Sequence, residues 1–427
     1  MGKLIIQGGQ ALNGEVTPAG NKNAALPLLA ACLLTEERVT LRNVPLISDV
    51  LTMKSLLESL GVSIEGEGNT WNIRANDIKP ANLDPELCKN IRASILLAGP
   101  MTAREGELKL SPPGGDVIGR RRVDTHILAL QAMGAKAAYE RENKIFHFQA
   151  PKGLQGADIL LDEASVTGTE NAIMAAAMAK GKTILRNAAS EPHIQDLCNL
   201  LNTLGAQIEN IGSNTLHITG VDKLHGGEFT IGADYMEVVS YVGAAVVTGG
   251  SIRVKNAGPQ HLDMIRLVFN RIGVDWQTDG PDIVVPAEQN LSIEPDLGGA
   301  IPEISVMPWP AFPTDLMSIA IVVATKSHGS ILFHDWMYPS RMYFTDKLVG
   351  MGAHIVLCDP HRCIVQGPSK LIGERLESPD IRAGMALVLA ALGAKGESVI
   401  HNVDQVDRGY ERVDEKLRAL GAQIERA

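Results

Sequence analysis

Basic residues stand at the starts of several apolar helical runs, where a positive side chain is unusual. Lys22, Arg92 and Arg382 each begin such a run. The amino end of a helix carries partial positive charge, so a cation there is unfavourable unless an anion lies against both. The pattern therefore predicts a site for an anionic substrate. Solvated or ion-paired cations are the alternative that the sequence leaves open.

Acidic residues occupy the corresponding places in other runs and allow two interpretations. Asp315 follows Thr314 in the segment PAFPTDLM, and Asp380 stands just before the last run. Asp and Thr are ordinary helix-capping residues, because their side-chain oxygens accept hydrogen bonds from free backbone N–H groups. A carboxylate beside a reacting group would instead act as an acid or a base. Asp315 is predicted to do one or the other, and Glu170 and Glu237 are equally open.

A glycine-flanked basic loop is the other feature that could do chemistry. Residues 111–126 read SPPGGDVIGRRRVDTH, with Gly114 and Gly115 before Asp116 and three arginines at 120–122. Glycine permits unusual backbone angles, and arginine binds phosphate through paired N–H groups. The segment predicts a lid that closes over a phosphate group. A solvated basic loop is the alternative.

Charge and motif content exclude several classes of protein. The 427 residues include 39 basic against 49 acidic side chains, a net charge of −10 at pH 7, so nucleic-acid binding is not expected. No apolar run reaches the roughly 18 residues that indicate a membrane span. A P-loop, a dinucleotide fingerprint, an HExxH zinc motif and a nucleophile elbow are all missing from the sequence. Neither a metal nor an organic cofactor is expected.

The cysteines and the N-terminus predict a cytoplasmic protein. Five cysteines are present, and none of them forms a CxxC pair. Most are therefore expected to be reduced thiols in the core. The first residues, MGKLIIQGGQALNGEV, lack the long apolar run and the cleavage pattern of a signal peptide.

The elements that must position these residues repeat along the chain. A phrase such as SLGVSIE or ALGAQIE recurs six times at a period of about 70 residues. Each copy ends an amphipathic segment with apolar residues at three- and four-residue steps, which predicts a helix that stops at its glycine. These glycines are Gly61, Gly134, Gly205, Gly273, Gly352 and Gly421.

A second kind of helix is predicted once in each repeat. The segments NAALPLLAACLL, RASILLAGPM, NAIMAAAMA, EVVSYVGAAVV, DLMSIAIVVA and RAGMALVLAAL are apolar nearly all round, which predicts buried helices. β-rich runs such as RVTLRNVP and KTILRNAA follow them, and hairpins such as IENIGSNTLHITG follow the amphipathic helices. The sequence thus predicts an α/β fold with its helices inside and its sheets outside.

Several long motifs resemble the enolpyruvyl transferase family, in its nucleotide-sugar branch. They are GNKNAALPLLAACLLTEE (20–37), RASILLAGPM (92–101), PGGDVIGRRRVD (113–124), PAFPTDL (310–316) and DRGYERVDEKLRALGA (407–422). The resemblance runs end to end. It implies an inside-out α/β barrel of two domains, each with three repeats. Residues 21–230 would form the first domain, and 1–20 with 231–427 the second.

The resemblance implies a reaction between two small-molecule substrates. The enolpyruvyl group of phosphoenolpyruvate would pass to the 3′-hydroxyl of UDP-N-acetylglucosamine, with release of phosphate. Lys22, Arg121 and Arg408 would hold the phosphate of phosphoenolpyruvate, and Arg382 with Arg408 would lie near its carboxylate. Asp315 would be the base at the sugar hydroxyl. The remaining substrate contacts implied are Asn23, Arg92, Arg122, Val123, Asp124, Thr125, Ser165, Val166, Thr167, Met337 and Asp380.

The sequence departs from the family pattern at a few positions. Asp116 stands where the loop acid is commonly Cys, and a carboxylic acid can protonate carbon there if its pKa is raised enough. On the nucleotide side, Arg122 replaces a usual Pro, Ser48 a common Lys, and Tyr235 a usual Arg, while Glu163 occupies an often basic place. These changes either move positive charge from one position to another or indicate that the protein uses a different nucleotide acceptor.

Two other functions stay open at the level of sequence. The first is enolpyruvyl transfer to another acceptor, either a different uridine nucleotide or shikimate 3-phosphate, although the GGDVIGRRRVD loop resembles the nucleotide-sugar branch and disfavours shikimate 3-phosphate. The second is a regulatory paralogue that binds the sugar nucleotide without turnover. A pure binder needs no proton donor, so it is disfavoured by the joint retention of Lys22, Asp116, Asp315, Arg382 and Arg408.

Asp116 generates a prediction about the epoxide antibiotic fosfomycin, which alkylates the loop thiol of the family. A carboxylate in place of that thiol should leave the protein resistant. The measurement is enzyme activity after incubation with fosfomycin for increasing times. Time-dependent covalent inactivation would contradict the prediction.

Overall fold

Strands and helices alternate along the chain in a computed structural model that describes residues 2–115 and 122–427. In chain order the strands are β1 (Lys3–Gly8), β2 (Asn13–Val16), β3 (Val39–Arg42), β4 (Ser63–Glu67), β5 (Thr70–Arg74), β6 (Glu107–Leu110), β7 (Lys136–Glu140), β8 (Ile145–Gln149), β9 (Asp158–Leu160), β10 (Lys182–Arg186), β11 (Gln207–Glu209), β12 (Thr215–Thr219), β13 (Gly227–Thr230), β14 (Ser251–Val254), β15 (Gln277–Asp279), β16 (Asp282–Val285), β17 (Glu303–Ser305), β18 (Gly329–His334), β19 (His354–Asp359), β20 (Arg362–Gly367), β21 (Arg375–Glu377), β22 (Gly396–His401) and β23 (Gln423–Arg426).

The α-helices are α1 (Lys22–Ala31), α2 (Ser48–Ser59), α3 (Pro85–Asn90), α4 (Ala98–Glu105), α5 (Asp124–Ala132), α6 (Val166–Ala177), α7 (Pro192–Thr203), α8 (Tyr235–Thr248), α9 (Asp263–Asn270), α10 (Met317–Ala324), α11 (Thr345–Gly350), α12 (Ile381–Leu392) and α13 (Val413–Ala419). Short 3-10 helices span Cys32–Leu34, Pro80–Asn82, Arg92–Leu97, Pro259–His261, Leu297–Gly299, Thr314–Leu316 and Val403–Arg408. None of these described helices is both long and apolar enough to cross a lipid bilayer.

The described residues divide into two units. The first unit consists of residues 20–115 with 122–232, and the second of residues 2–19 with 233–427. Each unit contains three small sheets. Their strand orders are β13-β3-β5-β4, β6-β8-β7 and β11-β12-β10-β9 in the first unit, and β15-β16-β14-β2, β17-β18-β20-β19 and β21-β22-β1-β23 in the second.

The apolar helices form the interior of each unit, as the sequence predicts. All residues of α10 and α12 are buried, and so is α8 apart from its last residue. In the second unit these three helices pack against one another, and in the first unit α6 packs against α4. The strands alternate buried and half-buried side chains, as β8 and β16 show, so each sheet covers the helices with one face. The predicted α/β class is confirmed.

The first two strands of the chain belong to sheets of the second unit. β1 pairs antiparallel with β22 and with β23, and β2 pairs parallel with β14. Leu4 and Ile6 of β1 point into the core and are fully buried. Burial of their apolar side chains attaches the N-terminal segment to residues nearly 400 positions later in the sequence.

The repeated glycines end six helices in the manner predicted. Each lies two residues beyond the last residue of α2, α5, α7, α11 or α13, or three beyond that of α9, and has a positive φ, between +82° and +101°. A residue with a Cβ atom is strained at that angle, whereas glycine is not. The glycine therefore turns the chain out of the helix and towards the next strand.

Two predicted helix starts are wrong. The segment 92–101 begins as a 3-10 helix, and α4 starts only at Ala98, because Pro100 lacks the N–H that would bond to residue 96. In α6 the helix starts earlier than predicted. Ser165 caps it by accepting from the Gly168 backbone N–H at 3.2 Å, which places Glu170 and Asn171 within the helix.

The cysteines carry no disulfide among the described residues. Cys32, Cys88, Cys198 and Cys363 are buried, in agreement with the predicted core thiols, whereas Cys358 is exposed. Burial raises the pKa of Cys88, Cys198 and Cys363 to about 12, so these thiols stay protonated.

The close contact between α4 and α6 generates a stability prediction. A Cβ atom on Gly99 would lie 2.5 Å from the backbone oxygen of Asn171, and the Asn171 side chain accepts from Gly99 N at 2.6 Å. Gly99→Ala should lower the free energy of unfolding by about 1–3 kcal/mol, because the two backbones must separate. Chemical denaturation measures the change.

Gly350 provides the matched control for this prediction. It lies at the end of α11 with no positive φ, and a Cβ atom there would meet nothing within 4 Å. Gly350→Ala should be neutral or raise the free energy of unfolding by up to about 1 kcal/mol. Equal destabilisation by the two substitutions would contradict the close-contact explanation.

Candidate active site

A carboxylate held by two arginines is the centre of the second unit's polar residues. Asp315 lies in the 3-10 helix that leads into α10. Its Oδ1 accepts from Arg341 Nη2 at 2.6 Å, and its Oδ2 accepts from Arg382 Nε at 3.1 Å. The side chains of Arg341 and Arg382 are 8% and 6% exposed, whereas that of Asp315 is 23% exposed. The carboxylate is thus the part of this cluster that reaches solvent.

The two guanidinium groups determine the charge state of Asp315. Burial alone would raise its pKa, but the charges and hydrogen bonds of Arg341 and Arg382 outweigh burial and hold the pKa well below its ordinary range. Neither the 3-10 helix that contains Asp315 nor α10, which follows it, has a side-chain capping hydrogen bond. Of the two interpretations that the sequence allows, helix capping is therefore wrong.

Arg382 is fixed by its neighbours within the second unit. Asp380 caps α12 by accepting from the backbone N–H groups of Arg382 and Ala383 at 2.9 and 3.0 Å. The Arg382 guanidinium also lies over the ring of Tyr410, 5.5 Å from its centroid, and the Tyr410 hydroxyl is 3.0 Å from Ser240 Oγ. Asp380, predicted as a substrate contact, thus has a capping role in this structure.

Arg341 is a residue that the sequence analysis missed. It lies in a turn at 339–344 with no helix start and no motif around it. Its guanidinium is 5.2 Å from the centroid of the Tyr338 ring. The buried Asp335 nearby accepts from Thr314 Oγ1 at 2.5 Å and from Met337 N at 3.0 Å, which ties this turn to the segment that carries Asp315.

In the first unit, the basic residue at the start of α1 is ion-paired. Lys22 Nζ lies 2.7 Å from Asp49 Oδ2, and both side chains are 9% exposed. The helix is capped separately by Asn21, which accepts from Ala24 N at 3.1 Å. The ion-paired alternative thus describes Lys22 here, and sequence analysis missed Asp49 because it resembles any acidic residue in a first helical turn.

Several predicted nucleotide contacts lie together in the first unit. Arg92 Nη2 donates to the backbone oxygen of Arg122 at 2.7 Å. Arg122 forms ion pairs with Asp124 at 3.1 Å and Asp162 at 2.9 Å, and Thr125 Oγ1 donates to Asp162 at 2.7 Å. The positive charge of Arg122 is therefore matched by acidic neighbours in this structure.

The start of α6 presents a further group of predicted contacts. Ser165 is the N-cap, and Val166 and Thr167 form the first turn, whose backbone N–H groups are suited to a phosphate oxygen. Thr167 Oγ1 lies 3.2 Å from His126 Nε2. Burial, with a smaller effect of the Arg92 charge, lowers the pKa of His126 to about 3, so this ring is neutral at pH 7.

The remaining predicted residues have few contacts or are described by their burial alone. Arg408 ends a 3-10 helix and donates to Gln405 Oε1 at 3.0 Å. Tyr235 is buried, with its ring 6.0 Å from that of Trp309. Half-buried positions are found for Asn23, Val123 and Met337, and exposed ones for Ser48 and Glu163. Asp116 and Arg121 lie outside the described residues.

A resident metal has no candidate site in the described part of the chain. No three side chains of His, Cys, Asp or Glu are grouped there in a way that could hold an ion. The polar groups that the structure does bring together are a carboxylate with two guanidiniums, and an ammonium with a carboxylate. Such groups can bind anions and move protons.

Comparisons with known proteins define the class to which this fold and site belong. Residues 6–417 match the family model of EPSP synthase (3-phosphoshikimate 1-carboxyvinyltransferase). The fold is similar to that of the enolpyruvyl transferase NikO from Streptomyces tendae, with a TM-score of 0.88 at 23% identity over 100% of this chain and 99% of that one. EPSP synthase from Acinetobacter baumannii gives a TM-score of 0.76 at 18% identity over 100% of both chains.

Curated sequences make the assignment more specific. The chain is 56% identical to UDP-N-acetylglucosamine 1-carboxyvinyltransferase of Bradyrhizobium diazoefficiens, over 99% of this chain and 98% of that protein. It is 51% identical to the protein of the same name from Treponema denticola, over 100% and 99%. The chain therefore belongs to the enolpyruvyl transferases, and within them to the UDP-N-acetylglucosamine 1-carboxyvinyltransferase family.

The arginine pair generates a prediction about Asp315 and stability. Asp315→Asn leaves two buried guanidiniums without their shared negative charge and should lower the free energy of unfolding by about 3 kcal/mol at pH 7. Because the folded-state pKa of Asp315 is lowered, its contribution is present above the unfolded-state pKa, near 3.9. The difference from wild type should therefore shrink as the pH falls below about 4.

Denaturant titrations of both proteins from pH 3 to pH 8 measure this difference. Asp359→Asn is the control, since it removes a carboxylate from an exposed pair with Arg362 and should have a much smaller effect. A stability difference for Asp315→Asn that is zero at pH 7, or that grows towards acid pH, would contradict the prediction.

Proposed function

We propose that this protein transfers the enolpyruvyl group of phosphoenolpyruvate to the 3′-hydroxyl of UDP-N-acetylglucosamine and releases phosphate, in the first committed step of peptidoglycan synthesis. The observation that carries the proposal is the 56% identity, along nearly the whole chain, to a relative named for this transfer. The buried arginines beside a partly exposed carboxylate supply the charges that such chemistry needs.

The second unit supplies the groups for the sugar hydroxyl and the donor carboxylate. Asp315 would take the proton of the 3′-hydroxyl as that oxygen bonds to C2 of phosphoenolpyruvate, while C3 gains a proton from Asp116. The tetrahedral adduct then returns a proton from C3 to the Asp116 carboxylate and loses its phosphate from C2, which restores the double bond in the enolpyruvyl ether. Arg382 would hold the donor carboxylate through charge-assisted hydrogen bonds.

Other predicted residues would bind the anionic parts of the substrates. Lys22, Arg121 and Arg408 would contact the phosphate of phosphoenolpyruvate. Exchange of the Asp49 carboxylate for that phosphate would keep the Lys22 ammonium paired throughout. Asn23 would contact the sugar. Nucleotide contacts are assigned to Arg92, Arg122, Val123, Asp124, Thr125, Ser165, Val166, Thr167 and Met337, with Asp380 bordering the site through Arg382.

A second candidate function is transfer to another uridine nucleotide. The observation that favours it is the pairing of Arg122 with Asp124 and Asp162. These carboxylates already balance the charge of Arg122. Arg122 therefore does not compensate for the positive charge that is lost where Ser48 replaces a common Lys. The exposed carboxylate of Glu163 also favours a different acceptor, since it would repel a diphosphate.

The proposal also includes a cytoplasmic location and resistance to fosfomycin. The cysteines of the described chain are all free thiols, which suits the reducing cytoplasm. An enzyme of cell-wall synthesis there would contribute to cell shape and division. Asp116 in place of a thiol would make it a fosfomycin-resistant form.

Phosphate release from phosphoenolpyruvate tests the proposed function. UDP-N-acetylglucosamine, UMP and shikimate 3-phosphate are offered separately as acceptors, and inorganic phosphate is measured over time. Release with UDP-N-acetylglucosamine alone is expected. Phosphate release with another acceptor would indicate that Ser48, Glu163 and Tyr235 change the acceptor specificity. Tight binding of UDP-N-acetylglucosamine without phosphate release would indicate a regulatory protein.

Asp116→Asn provides the catalytic control in the same assay. An amide cannot deliver the proton to C3, so release should fall to background while affinity for UDP-N-acetylglucosamine stays close to that of wild type. Unchanged release would remove Asp116 from the mechanism.

A further inference from the structure

Both oxygens of the proposed base are occupied by cations in the structure. Arg341 Nη2 donates to Oδ1 of Asp315, and Arg382 Nε donates to Oδ2. A base must offer a lone pair to the proton that it accepts, and its proton affinity falls as positive charges approach. Asp315 is therefore a weak base in this arrangement, and something must change before it can deprotonate a sugar hydroxyl.

Two unpaired N–H groups lie on the same two arginines. Arg341 Nε and Arg382 Nη1 are buried and have no hydrogen-bond partner in the described part of the chain. A buried charged donor without an acceptor is costly, so such atoms are rare unless a ligand completes them. Both arginines contact the same Asp315 carboxylate, so one further carboxylate, which accepts through two oxygens, is the ligand class that could complete both donors.

The surroundings leave the guanidiniums charged. Burial would lower the pKa of each arginine, but Asp315 and other acidic neighbours reverse that effect and hold both pKa values above the ordinary range. Both side chains therefore stay cationic and attract a carboxylate. The charged and titratable groups that act on the pair are Asp315, Asp335, Asp380, Tyr338, Asp234 and Tyr410.

We propose that the carboxylate of phosphoenolpyruvate, on binding between Arg341 and Arg382, draws the Arg341 guanidinium away from Asp315 and thereby frees the base only when the donor is in place. The inference rests on the proposed function, because it names phosphoenolpyruvate as the ligand. It assigns to Arg341 the role of a substrate-binding residue that also controls Asp315.

Arg341 is the arginine that changes partner. Arg382 is anchored by α12, by the Asp380 cap and by the Tyr410 ring. Arg341 lies in a turn, and its hydrogen bond to Asp315, at 2.6 Å, is shorter than the one to the Thr314 backbone oxygen, at 3.5 Å. A small rotation of this side chain exchanges one carboxylate for another without loss of an ion pair. The sugar hydroxyl is then deprotonated only when phosphoenolpyruvate, whose C2 reacts with the resulting oxygen, is already bound.

The ionisation of Asp315 tests the inference directly. Protein labelled with 13C at the aspartate carboxyl is titrated by NMR, and Asp315→Asn identifies the resonance. The titration is run on free protein and with saturating phosphoenolpyruvate alone, for wild type, Arg341→Gln and Arg341→Lys. Arg253→Gln is the matched control, because it removes a guanidinium that pairs with two carboxylates elsewhere in the second unit.

The expected results differ between the variants. Phosphoenolpyruvate should move the midpoint of Asp315 upward in wild type, and Arg341→Gln should move it upward by about 1–3 pH units without any ligand. Added phosphoenolpyruvate should then shift the variant little, and its KM for phosphoenolpyruvate should rise about 10- to 100-fold. Arg341→Lys should restore part of both effects, and Arg253→Gln should match wild type.

The outcomes separate this inference from the proposed function. A wild-type midpoint that phosphoenolpyruvate leaves unchanged, in a protein that releases phosphate, would overturn the inference and leave the function standing. A ligand-dependent shift that needs Arg341, in a protein that releases no phosphate, would support the coupling and overturn the function. A shift of equal size in Arg341→Gln would remove Arg341 from the coupling.

Discussion

The structure of the second unit depends on the pairing of one carboxylate with two buried guanidiniums. Asp315 links a turn that carries Arg341 to the helix that carries Arg382. Buried charges are tolerated only when they are paired, so removal of Asp315 would leave two buried guanidiniums without their shared negative charge. The same requirement makes the cluster chemically useful, because an incoming anion can take the place of Asp315.

The fold explains why these side chains can be held so firmly. The buried helices α8, α10 and α12 place the start of α12 and the segment before α10 against a rigid apolar core. The Tyr410 ring and the Asp380 cap then fix Arg382. Asp315 keeps its partial exposure because the polar ends of the helices, rather than their apolar middles, carry the reactive groups.

Much of this architecture could be predicted from sequence because its signals are local. The six glycines mark helix ends through backbone strain, and the apolar runs mark interior helices through their composition. Arg341 and Asp49 could not be predicted, since their partners are distant in sequence: Asp315 lies 26 positions from Arg341. The resemblance indicated Asp315 and Lys22, but what each contacts is decided by tertiary packing. The late start of α4 also required more than composition, because Pro100 breaks an otherwise continuous helical pattern.

A crystal structure of Asp116→Asn with phosphoenolpyruvate and UDP-N-acetylglucosamine would show directly whether the donor carboxylate replaces Asp315 on Arg341, since the variant should hold both substrates without turnover. We expect a donor carboxylate within about 3 Å of Arg341 Nε and Arg382 Nη1, and an Asp315 oxygen turned to the sugar 3′-hydroxyl. A donor carboxylate bound elsewhere, with both guanidiniums still on Asp315, would contradict it.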